Sequence, residues 1–306
     1  MPVDSFTLPS FAKINLSLRV LGKRADNFHE LCTIFQTVSL KDYLTFGAHE
    51  KIILTCDRRE IPVDEKNLIV KAAQKLRERY KIERGASIHL EKNIPSPGGL
   101  GGGSSNAAVA LLGLVRLWQI KFNFSEILEI GETLGSDVPF FLCGGTALGT
   151  ARGNKITEMK DLPQERLLIV TPDVAVWTAK AFERLNAPRL TNISSKSILQ
   201  ICCNEADSFD LHQSNPVNDF ENTICDLEPE IRIVRDRIVG LGAKKALLSG
   251  SGASVFGVFS KLEELQAAFD KLKKESNWRV FSAKTVSRRE YRDSLNLEAG
   301  GHLKRF

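Results

Sequence analysis

The chain has 306 residues, 42% of them hydrophobic and 26% charged, with a net charge of +5. That length accommodates one large or two medium domains, and the composition is that of a globular protein, not a disordered or fibrous one. No apolar run approaches the ~20 residues a bilayer span needs, and the mild positive charge is not gathered into the stripe that nucleic-acid binding uses. The six cysteines (Cys32, Cys56, Cys143, Cys202, Cys203, Cys225) form no C-x-x-C pair and no zinc-like spacing. Free thiols in a reducing compartment are expected. The first residues, MPVDSF, carry neither a basic nor an apolar targeting region, so the expected location is the cytoplasm.

In chain order, residues 12–21 (AKINLSLRVL) alternate with a period near two and read as a strand, as do 52–56 and 86–90. Residues 67–80 place Leu68, Val70, Ala72, Ala73 and Leu76 at helical spacing among Lys and Arg. Residues 104–118 are apolar almost all round and read as a buried central helix. A shorter helix follows at 125–134, with Ser125 as N-cap and Gly135 as its stop. After a linker around Pro163, a strand begins near Leu167 and ends at Pro172. Helices are expected at 178–185, 195–203 and 229–239, then a hairpin over 246–259 turning at Ser249-Gly-Ser-Gly. A helix at 262–275 and a strand at 279–286 complete the pattern. The basic residues Arg288, Arg289, Arg292, Lys304 and Arg305 are offset by Glu290, Asp293 and Glu298, which reads as a solvated tail. Helices and strands mix without a strict βαβ rhythm, so the class is α+β.

The densest chemical signal is Ile94-Pro-Ser-Pro-Gly-Gly-Leu-Gly-Gly-Gly-Ser-Ser-Asn-Ala-Ala. Glycines at 98, 99, 101, 102 and 103 permit positive φ and close approach of a ligand. Ser104, Ser105 and Asn106 add donors where a helix N-terminus already favours an anion. A Gly/Ser linker would not run straight into so apolar a helix. The P-loop pattern fails for want of Lys-Ser/Thr after the last glycine. The dinucleotide pattern fails because Ser104 and Asn106 stand where its third glycine belongs. Ser10-x-x-Lys13 matches the S-x-x-K of penicillin-binding enzymes, but Ser136-Asp137 is followed by Val138 and Lys284-Thr285 by Val286, so its partners are missing.

Pro95-x-x-x-Gly-Leu-Gly with Ser104-Ser105-x-Ala-Ala resembles the signature of the GHMP kinases. The form GLGGGSSNAA is similar to the branch of that family in non-mevalonate isoprenoid synthesis, whose acceptor carries a cytidine diphosphate group. Pro97 departs from that branch, which usually has a small residue there. Ser10-Phe-Ala-Lys13-Ile-Asn15, Phe28-His29, Gly135-Ser-Asp137 and Leu248-Ser-Gly-Ser-Gly-Ala-Ser match in the same order.

The resemblance implies a two-domain fold: an N-terminal ribosomal-protein-S5-like nucleotide domain over 1–163, a ferredoxin-like domain over 164–286, and a tail over 287–306. It implies ATP and Mg²⁺ as cofactors, with no dedicated metal-ligating residues. Catalytic roles fall on Lys13 and Asp137; the latter, on residues alone, is a cap or turn residue. The resemblance makes it the base that takes the acceptor proton. Nucleotide contacts are implied for Pro95, Gly98, Gly99, Leu100, Gly101, Gly102, Gly103, Ser104, Ser105 and Asn106, with Asn67 and Lys92. Acceptor contacts are implied for Asn15, Phe28, His29 and Phe182, with Phe28 and Phe182 sandwiching a base. The expected partner is therefore a small molecule bearing cytidine diphosphate, with no nucleic acid, no membrane, and a monomeric or homodimeric protein. The alternatives are a homoserine or mevalonate type of GHMP kinase, or a nucleotide-binding protein without catalysis.

Overall fold

The computed structural model describes residues 5–176, 178–187, 192–211 and 213–296. Its elements in order are β1 (Phe6–Lys23), β2 (His29–His49), β3 (Ile52–Cys56), α1 (Leu68–Tyr80), β4 (Gly85–Glu91), α2 (Gly102–Leu117), α3 (Phe124–Leu134) and α4 (Val138–Cys143). Next come β5 (Thr146–Ala151), β6 (Lys155–Glu158), β7 (Arg166–Thr171), α5 (Thr178–Leu185), α6 (Asn192–Asp207), α7 (Phe220–Leu227) and α8 (Pro229–Gly240). The chain finishes with β8 (Lys245–Leu248), β9 (Val255–Phe259), α9 (Leu262–Glu275), β10 (Arg279–Lys284) and α10 (Arg288–Ser294).

Two sheets carry the molecule. In the first, the long β1–β2 ribbon is antiparallel from Phe6↔Phe46 to Lys23↔His29. The other edge of β2 pairs with β4 through Tyr43–His49 and with β5 through Leu31–Gln36. The second is an antiparallel sheet in the order β10-β7-β9-β8. Alternation along its strands sorts side chains to two sides. Leu167, Ile169, Phe256 and Val258 face β1 and β2 in one core, while Leu168, Val170, Val255 and Phe259 face α8 and α9 in another. A third core lies between the first sheet and α1 to α4. The order is thus helices, sheet, sheet, helices.

Helix α2 is buried along its length because it packs against α1, α3, α4 and both ribbon strands, which its nearly all-apolar sequence requires. It begins at Gly102, two residues earlier than expected, with Gly101 (φ +69°) as its N-cap. The N-cap of α3 is Asn123, whose side chain accepts the Ser125 N–H, so Ser125 is not the cap. Helix α6 is longer than expected, and β10 ends at Lys284, beyond which Thr285 bridges to Val38.

The expectation of a solvated tail from 287 is corrected. Ser287 caps α10, and its Tyr291 is fully buried, donating through Oη to the Phe141 carbonyl at 2.5 Å. One aromatic anchor outweighs the surrounding charges, since burying a ring of this size contributes about 2–3 kcal/mol. Lys304 and Arg305, like residues 1–4, lie outside the described residues. No helix among the described residues is long and apolar enough to cross a membrane.

Candidate functional site

A cleft of about 700 Å³ is lined by β1, β2 and the glycine loop on one side and by α5, Phe220 and the 250–251 turn on the other. Its floor is set by β1. Alternation on that strand turns Lys13 and Asn15 to the same side, and both are buried. Lys13 Nζ donates to Asn15 Oδ1 at 2.6 Å and lies 3.6 Å from Asp137 Oδ2. Asn15 Nδ2 in turn donates to Thr33 Oγ1 at 2.7 Å, whose hydroxyl donates to the Ser17 carbonyl. Burial pushes the Lys13 amine below its ordinary value, and the neighbouring Asp137 charge works against that shift. Asp137 stands at the N-cap of α4 but makes no capping bond with its side chain, which is 31% exposed. Its carboxylate is therefore free of the helix and available to the cleft. Asn15, expected to contact an acceptor, lines the cleft and also holds Lys13 in place through its Oδ1.

The glycine loop forms one wall. Lys13 N–H donates to the Leu100 carbonyl at 3.0 Å, tying loop to strand. The loop is pressed against the 249–254 turn. Ser249 Oγ donates to the Gly99 carbonyl at 3.0 Å and Ser254 N–H to the Gly98 carbonyl at 3.1 Å. Gly99 has φ +70°, and a Cβ there would stand 2.2 Å from the Ser249 carbonyl oxygen. Only glycine fits. The free N–H groups at the start of α2 carry no side-chain cap, which leaves them for an anion. Gly250 and Ser251 also line the cleft; their motif was legible, but nothing in its spacing says that it reaches Lys13.

Of the other residues expected near a nucleotide, Asn67 caps α1 through the Ile69 N–H and donates to the Pro62 carbonyl. Pro95 and Lys92 border a second cavity of about 420 Å³, with Arg58, Ile61, Trp278 and Phe281 on its other walls. The Ser105, Asn106 and Lys92 side chains are turned away from the cleft. Ser105 accepts from Ser10 at 2.8 Å, while Asn106 and Lys92 both donate to Asp42 Oδ2.

The far end of the cleft is aromatic. The 24–28 turn between β1 and β2 is held by Arg24 N–H to the Phe28 carbonyl and Phe28 N–H to Asp26 Oδ1. It presents Phe28 at 51% exposure. The Arg152 guanidinium lies 4.4 Å over the Phe28 ring. His29 stacks on Phe182 at 4.6 Å, and Phe182 meets Phe220 edge-on at 4.8 Å. Both aromatics of the expected sandwich line this end of the cleft, with Phe182 stacked on His29 and Arg152 over Phe28. Burial, then the charge of Lys23, holds His29 below the ordinary histidine value, so its imidazole is neutral at pH 7. Lys23, Arg152 and Phe220 were not anticipated: Lys23 is set beside His29 by the strand register, and Arg152 and Phe220 join the cleft from remote parts of the chain.

The GHMP kinases N terminal domain family matches residues 67–145, and the GHMP kinases C terminal family matches 208–277. A 4-diphosphocytidyl-2-C-methyl-D-erythritol kinase of Syntrophus aciditrophicus is 38% identical over 276 residues, covering 90% of this chain and 97% of the relative. The enzyme of that name from Caldanaerobacter subterraneus is 35% identical over 266 residues, covering 87% and 92%. A crystal structure of 4-(cytidine 5'-diphospho)-2C-methyl-D-erythritol kinase superposes with TM-score 0.74 at 30% identity, covering 92% of this chain and 99% of that one. Homoserine kinase from Cytophaga hutchinsonii shares the fold, at TM-score 0.70 and 20% identity over 93% and 95% of the two chains. Both sheets and their helices are the α+β GHMP kinase fold, and ATP is the phosphate donor of that family. The chain belongs to the GHMP kinases, in the family of the 4-diphosphocytidyl-2-C-methyl-D-erythritol kinases.

Proposed function

We propose that the chain transfers the γ-phosphate of ATP to the 2-hydroxyl of 4-diphosphocytidyl-2-C-methyl-D-erythritol. The observation that carries this reading is one cleft with a Lys13–Asp137 pair beside the glycine loop and an aromatic, cationic end at Phe28, His29 and Arg152. An acceptor without a base would leave that end empty, which favours this reading over a homoserine or mevalonate kinase. The cleft draws on both sides of Pro163, so the units 1–163 and 164–286 would both contribute to it.

In the mechanism proposed, backbone N–H groups of the loop and the start of α2 cradle the ATP phosphates. The cavity lined by Pro95 and Ser96, where the glycine loop begins, would take the base end of ATP. The acceptor hydroxyl lies against Asp137, which orients it and accepts its proton as the bond to phosphorus forms. Lys13 pairs with that carboxylate and offsets charge on the transferring group. Phe28 and Phe182 supply faces for the cytosine, and neutral His29 both donates and accepts at its edge. Lys23 and Arg152 suit the diphosphate.

Mg²⁺ would be held mainly by phosphates and waters. Asp137, which lines the cleft, would be its protein neighbour, and when bound it would neutralise phosphate charge.

Asp137→Asn tests the chemistry. Turnover is expected to fall by roughly 10²–10⁴ with ATP affinity changed by less than a few fold; undiminished turnover removes Asp137 from the mechanism.

A further inference from the structure

The carboxylate of Asp42, on β2, is fully buried. Oδ1 accepts the backbone N–H groups of Asn93 and Ile94, each at 2.7 Å. Oδ2 accepts Lys92 Nζ at 2.8 Å and Asn106 Nδ2 at 2.9 Å. Asn106 Nδ2 also donates to Ser10 Oγ at 2.9 Å, and that hydroxyl donates to Ser105 Oγ. Lys92 Nζ further donates to the Ile94 carbonyl. Every one of these partners belongs to β1, to 92–94 where the chain leaves β4, or to the first turns of α2.

Residues 92–94 and 105–106 are the two ends of the glycine loop. Between them the glycines offer no side chains to fix a backbone shape, and the chain there has more freedom than any other composition would give it. A buried carboxylate needs its hydrogen bonds made. Here those bonds are made only when both ends of the loop stand in one arrangement, so satisfying Asp42 and shaping the loop are a single event. Hydrogen bonds to an ionised acceptor are the stronger kind, which suits a tie of this type.

We infer that Asp42 is the positioning residue of the phosphate loop, fixing both of its ends so that the backbone between is preset for the phosphates of ATP. This rests on the reading of the loop as the ATP site. Asp42 touches no ligand in this scheme; it acts through Asn93, Ile94, Lys92 and Asn106.

The test is Asp42→Asn, with ATP and CDP dissociation constants measured by calorimetry on the folded protein, each ligand alone, beside a thermal melt. The expected result is an ATP dissociation constant raised at least about tenfold, with CDP, bound at the aromatic end of the cleft, changed less than threefold. A merely structural tie would lower the melting temperature and leave ATP binding within twofold, or weaken ATP and CDP alike. Either outcome overturns the inference. If Asp42→Asn does not fold, Asn106→Leu keeps the Asp42–Lys92 pair and removes the bonds from α2 to Asp42 and Ser10, and the same two constants decide. Wild-type protein that binds ATP but phosphorylates no cytidyl acceptor would refute the functional reading while leaving this inference standing.

Discussion

An amine buried as deeply as that of Lys13 needs fixed partners, and Asn15 and Asp137 are those partners. The pair illustrates what residue types alone could convey. Lys13 and Asn15 fall on one face of a strand by simple alternation, whereas the approach of Asp137, more than a hundred positions away, depends on how α4 is seated. Asp42 was invisible for the same reason. A single Asp in a Lys-Asp-Tyr stretch carries no signal of its own until folding brings Lys92 and Asn106 against it. His29 gives a prediction at this scale. Its pKa is lowered from 6.5 by burial and by Lys23, so protonation begins only below the ordinary histidine range. If the neutral ring contacts the base, the acceptor KM should be flat above pH 6.5 and rise toward tenfold per unit as pH falls through the lowered pKa. In His29→Gln that acidic limb should vanish. A limb that persists unchanged in the variant assigns the titration elsewhere.

At the scale of elements, the helices with clear apolar spacing were legible, and α9 spans the expected 262–275. Strand β2 was not. Cys32–Val38 is buried on both faces between two cores, so its run lacks the alternation that marks a half-exposed strand. Helix α10 was missed because its charged residues follow the composition of a tail, whereas tertiary packing of Tyr291 against Phe141 and Gly144 and the bonds of Arg288 to Asp161 and Thr146 order it. The loop–turn contact belongs to this scale too. Gly99→Ala forces a side chain into the Ser249 carbonyl at positive φ, which should cost more than about 2 kcal/mol. The melting temperature should fall by several degrees and the ATP KM rise at least about tenfold. An ATP KM within twofold of wild type would mean that the contact of loop and turn does not shape the nucleotide site.

Across the whole molecule, the two ends of the cleft have separate origins. The glycine loop, β1 and α4 supply the reacting groups, while the β1–β2 turn, Arg152 and α5 supply the aromatic and cationic end. The glycine loop by itself indicated a phosphate site; Phe28-His29 and Asp137 made it specific through the family resemblance. The arrangement of Phe182 on His29 was not legible, because which aromatic stacks on which depends on how α5 docks. Acceptor choice is therefore a property of the assembled cleft, and a direct comparison of acceptors is its most direct test. ATP consumption would be followed with 4-diphosphocytidyl-2-C-methyl-D-erythritol, homoserine and mevalonate at equal concentration. The expected result is turnover with the cytidyl compound at least about a hundredfold above the other two, as loss of a stacked and hydrogen-bonded base would dictate. Comparable or faster turnover with homoserine or mevalonate would contradict the assignment.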